Sequence, residues 1–109
     1  MSRELTILVP PPHTKAYAAT ELEVWKNQKT FDKIDKLIRY EFRPKEWIHT
    51  KIHNSYCRRN RDMYGDLLAW YCPHDVARCL DRYGNSVDSA VYAYLMAMSG
   101  DHHVICWWR

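Results

Sequence analysis

The chain lacks the common signatures of nucleotide binding and hydrolysis. It has no phosphate-binding P-loop, no GxGxxG, no GxSxG and no HExxH. It also has no CxxC pair, so its four cysteines, Cys57, Cys72, Cys79 and Cys106, stand scattered rather than in zinc-site spacing. Its apolar runs are far too short to span a bilayer, and no signal or transit peptide is recognisable. A cytoplasmic chain with reduced thiols and no membrane partner is therefore expected. Internal repeats, linkers and low-complexity segments are missing as well, so the 109 residues read as one compact domain, 1–109. Phenylalanine is scarce, with 2 residues against 5 Trp and 8 Tyr. Trp and Tyr carry a polar handle and suit interfaces as well as cores.

What is present is an uneven charge distribution. Between Arg43 and Arg61 there are six basic residues and one acid, Glu46, a local charge of +5 in a chain of net +3. The remainder is thus about −2. Such a concentrated positive segment is what a polyanion-binding patch requires.

Hydrophobic periodicity points to a predominantly α, α+β fold with five or six short helices. Glu4 to Val9 reads as a strand stopped by Pro10, Pro11 and Pro12. Thr14 can cap a helix to about Asn27, with Ala18, Leu22 and Trp25 on one stripe. Thr30 can cap a second, with Phe31, Ile34, Ile38 and Phe42 apolar. Pro44 suits the start of a third, with a seam of Ile48, Ile52 and Tyr56. Met63, Leu67, Leu68 and Tyr71 support a fourth. Pro73 opens a fifth, which Gly84 would end. Ser86 opens the last, about 86–99, which Val87, Ala90, Val91, Tyr94, Leu95 and Met98 mark as the central helix. Residues 103–108 read as a second strand, and the two terminal strands are expected to pair as a small sheet, since neither is stable alone.

On a helix, the segment from Pro44 to Arg61 separates into columns. His49, His53 and Cys57 fall at i, i+4 and i+8. The outer two would lie about 12 Å apart along the axis, so only His49/His53 or His53/Cys57 could share an ion. Completion would come from Cys72 and His74, or from His102 and His103. No cofactor is required; zinc is the ion these ligands would suit. A second column holds Trp47, Lys51, Asn54, Arg58 and Arg61, with Arg59 adjacent. An aromatic followed by basic and amide groups suits a phosphate backbone with a base to stack on, or an acidic protein surface.

The expected function is a small non-enzymatic protein that binds nucleic acid or an acidic protein surface through Trp47, Lys51, Asn54, Arg58, Arg59 and Arg61. A rival is a small inhibitor, of the kind phages and mobile elements encode, that blocks a larger host protein or nucleoprotein machine. Another is a nuclease using His49 and His53 as acid and base, with or without a metal. The Trp107-Trp108 pair would point to opposite faces of a strand, and covering the second ring suggests a homodimer edge at the C-terminal strand.

Overall fold

Two apolar strands from opposite ends of the chain lie side by side in the middle of the fold. In the computed structural model, which describes residues 3–10, 20–52 and 55–109 and leaves aside the side chains of 50–52 and 55–56, β1 (Leu5–Val9) pairs antiparallel with the last strand (Val104–Trp108). The other elements are β2 (Thr20–Val24), α1 (Gln28–Asp35), β3 (Tyr40–Glu41), β4 (Ile48–Ile52), β5 (Ser55–Arg59), β6 (Ala69–Tyr71), α2 (Pro73–Cys79), α3 (Ser86–Ala97) and β7, the last strand. One sheet has the order β2-β1-β7-β6-β3, and β4 and β5 form a separate hairpin.

This corrects the mainly helical expectation. Three helices and seven strands occur among the described residues. β1 and β7 do pair, but as the centre of five strands rather than as a two-stranded appendage. The segment expected as the first helix is described from Thr20 onward, and there it is β2, reading Thr-Glu-Leu-Glu-Val. Its apolar and acidic residues alternate, which suits a strand with one covered face. Residues 11–19, where that helix would begin, lie outside the description. The expected fourth helix is instead a turn at 62–66 followed by β6. Gly65 has φ +87 in that turn, a conformation that side-chain-bearing residues rarely adopt.

The surviving helices are shorter than expected. Asn27, not Thr30, caps α1, its side chain accepting from the backbone N–H of Lys29 and Thr30. Pro73 occupies the first turn of α2, which ends at Cys79, well before Gly84. Asn85 caps α3 through the Asp88 N–H at 2.8 Å. α3 is not central. It buries only Asp88, Val91 and Leu95 and lies on one face of the sheet. Buried Asp88 accepts the Trp25 N–H at 3.0 Å, tying the exit of β2 to the start of α3. The positive end of the helix dipole there favours the carboxylate.

Strand alternation divides the core in two. Leu5, Ile7, Val9, Val104, Cys106 and Trp108 face the helices, where they meet Phe31, Ile34, Val76, Val91 and Leu95. Leu8, Ile105 and Trp107 face the other way and join Phe42, Ile48 and Leu68, with Trp70 packed alongside. Both terminal tryptophans are therefore covered within the chain. Trp108 meets Phe31 edge-on at 5.1 Å, and Trp107 is 4% exposed. β7 is bordered by β1 on one side and by β6 on the other, and Met63 donates to the Trp108 carbonyl at 3.1 Å. The expected dimer edge at this strand is thus already occupied.

Candidate functional site

The basic segment is a β-hairpin, and that rearranges every column expected from helical spacing. Its register pairs Ile48 with Arg59, His49 with Arg58, Thr50 with Cys57, Lys51 with Tyr56 and Ile52 with Ser55. Ile48 is fully buried in the second core, so its neighbours in sequence, Trp47 and His49, fall on the opposite side of the hairpin. Arg58, opposite His49, shares that outer side. Trp47 and His49 meet edge-on at 4.8 Å, and the Arg58 guanidinium lies 4.1 Å from the centre of the Trp47 ring. Trp47 and Arg58 do come together, by closure of the hairpin rather than along a helix.

The remaining expected site residues are distributed differently. Arg59 opposes Ile48 and turns toward the core, its guanidinium 5.7 Å from the Trp107 ring. Its Nε is buried without a hydrogen-bond partner. Arg61 is exposed but donates to the Gly65 carbonyl at 2.8 Å, which holds the 61–67 turn. Lys51 keeps a backbone position opposite Tyr56. His53 and Asn54 fall outside the described residues.

Both expected ion-sharing pairs, His49/His53 and His53/Cys57, include His53, which lies outside the described residues. Cys57 opposes Thr50 while His49 opposes Arg58, so strand alternation puts His49 and Cys57 on opposite faces of the hairpin. Cys72 and His74 belong to the start of α2, and the His74 Nε2 is engaged with the Met98 carbonyl at 2.7 Å. No group of three or more His, Cys, Asp or Glu suited to a metal occurs among the described residues. All four cysteines are free thiols. Burial pushes Cys79 and Cys106 upward from the usual thiol range, so neither is poised as a nucleophile.

The outer side of the hairpin offers a flat cation held in place. A guanidinium over a tryptophan gains about 0.5–1 kcal/mol at an exposed site. Seated over the ring, Arg58 keeps its five N–H donors for an anion. No carboxylate pairs with Arg58 among the described residues, whereas the nearby Arg43 lies 3.9 Å from Glu46.

A second feature adjoins the base of the hairpin and has the opposite charge. A cleft of about 940 Å³ is lined by Pro10, Tyr40, Glu41, Arg43, Glu46, Trp70, Ser99, Asp101, His102 and His103. Trp70 is stacked on Phe42 at 5.1 Å and donates its indole N–H to Glu46 at 3.1 Å. Glu46 also accepts the Arg43 backbone N–H at 3.0 Å. Tyr40 meets His103 edge-on at 6.3 Å, and His102 Nε2 is 2.6 Å from the Pro10 carbonyl. Of these residues, His102 and His103 are the ones expected from the sequence as site residues, completing a metal site, and Arg43 and Glu46 belong to the charged segment. The lining comes from four separate stretches, Pro10, residues 40–46, Trp70 and residues 99–103, which the fold brings together.

No protein-family model, curated protein or solved structure matches this chain. No helix among the described residues is long and apolar enough to cross a membrane.

Proposed function

We propose that this is a non-enzymatic cytoplasmic binding protein whose β4–β5 hairpin engages the phosphate backbone of single-stranded nucleic acid. The observation that carries this reading is the Arg58 guanidinium stacked 4.1 Å over Trp47 on the outer side of the hairpin. Arg58, seated on Trp47, supplies a phosphate contact, and the Trp47 ring provides a surface on which a base can stack. The surrounding +5 segment supplies the long-range attraction. Arg61 contributes charge, although its contact with Gly65 makes it a structural residue as well.

The test is titration of a short single-stranded oligonucleotide, followed by fluorescence anisotropy over a range of salt concentrations. Affinity should fall steeply with salt, and Arg58→Ala should reduce the log–log slope by about one phosphate contact. Trp47→Ala should cost about 1–3 kcal/mol, the usual loss for one stacked base. Undetectable binding, or binding indifferent to salt, overturns the reading. In that event, one dominant acidic protein recovered in a pull-down and lost on Trp47→Ala would assign the same face to a protein partner.

A further inference from the structure

From the geometry of the cleft we infer a second site, which binds a small organic ammonium ion. The inference stands on the cleft alone and does not depend on the nucleic-acid reading. A volume of about 940 Å³ suits a small ligand. Its lining combines two aromatic rings with an excess of negative charge. Three carboxylates, Glu41, Glu46 and Asp101, stand against one guanidinium, Arg43, with the histidines counted neutral.

The carboxylates differ in role. Glu46 is committed to the scaffold: it accepts from the Trp70 indole and the Arg43 backbone, and it offsets the Arg43 charge at 3.9 Å. Glu41 and Asp101 are exposed on the rim and enter no ion pair among the described residues. Asp101 is held in place by its own loop, where its N–H bonds Ser99 Oγ at 3.3 Å and its carbonyl contacts His103 Nδ1 at 3.2 Å. Tyr40 lines the cleft and is 60% exposed.

This combination selects a ligand class. An anion would meet Glu41 and Asp101, which enter no ion pair among the described residues, with Arg39 attracting Glu41 at longer range. A neutral apolar guest would have to desolvate them without recompense. An ammonium ion with attached carbon satisfies both elements, since the aromatic faces attract the cation and the carboxylates neutralise it. The opposite charge of the neighbouring hairpin keeps the sites distinct, because a cation is repelled by Arg58 and drawn to the cleft.

The test is calorimetric titration of the full chain with choline and with its uncharged isostere 3,3-dimethylbutan-1-ol. Choline should bind saturably, and the isostere about tenfold more weakly or not at all. Glu41→Gln combined with Asp101→Asn, at two exposed positions, should weaken choline about tenfold while circular dichroism stays unchanged. Tyr40→Ala should weaken it by a similar factor. Arg58→Ala should leave choline binding intact, whatever its effect on nucleic acid. No saturable choline binding at millimolar concentration, equal binding of the isostere, or unaltered affinity in the cleft variants would each overturn the site. So would a loss of choline binding in Arg58→Ala.

Discussion

The two faces of the central sheet are built to different depths. On the helix side, seventeen buried residues form one cluster spanning β1, β7, β6 and all three helices. On the hairpin side, six buried residues suffice, with Trp70 packed against them, and the hairpin joins them through Ile48. Its other described inward contact is Arg59 over Trp107, a charged lid on an aromatic ring. The thick side carries the stability of the fold. The thin side leaves room for exposed charge and a cleft, and both candidate sites lie on it. Binding surfaces commonly sit on such lightly anchored elements, supported by a rigid scaffold.

Substitutions can sharpen or break this contrast. The largest effect is expected from Phe31→Ala on the helix side. Phe31 is 1% exposed and packs against Trp108, so its loss should cost about 4 kcal/mol in denaturant unfolding. Ile48→Ala on the hairpin side should cost about 2–3 kcal/mol, the lower part of the range for such truncations, because a thin layer can close over the cavity. Hydrogen exchange should then rise in β4 and β5 but not in β1 or β7. Equal costs, or exchange spreading through the whole sheet, would show that the two faces form one cooperative unit.

Alkaline pH probes the helix side selectively. Burial holds the Cys106 thiol far above its ordinary value of 9.0, and Cys79 and Tyr71 are raised as well. A raised folded-state value means that the unfolded chain ionises first. The contribution is therefore complete below about pH 9 and is lost as pH rises toward the folded value. Stability should fall by about 1.4 kcal/mol per pH unit for Cys106 alone. Cys106→Ala should flatten that slope; an unchanged slope would assign it to other groups. The smallest stability effect is expected for Arg58→Ala. It should stay below about 1 kcal/mol, the strength of an exposed cation–π pair, while nucleic-acid binding suffers. A larger loss would make Arg58 a structural residue of the hairpin.

The basic segment satisfies helix and strand spacing alike. Ile48, Ile52 and Tyr56 are spaced by four, and residues four apart share a side of both a helix and a strand. The residue between the first two is the one that discriminates. Thr50 is β-branched and falls in strand phase with Ile48, and Ile-His-Thr-Lys-Ile alternates throughout. The same ambiguity converted Leu22 from a helical position into the middle of β2. Strong punctuation in the sequence marks elements more directly. Pro73 begins α2, and Val91 and Leu95 lie on the buried stripe of α3.

Local chemistry decides several features of this protein without help from the fold. The apolar terminal segments must be strands that find partners, the charge must gather between Arg43 and Arg61, and Pro73 must open a helix. Each follows from properties of neighbouring residues. Tertiary structure alone decides that β1 and β7 lie at the middle of five strands. It also places Arg58 on Trp47 while turning Arg59 inward, and it assembles a cleft from Pro10, Tyr40, Trp70 and Asp101. The physical reason is that sheet order, register and cavities arise from contacts between residues far apart in the chain. A one-residue change in the hairpin register would reverse which side each of its side chains occupies.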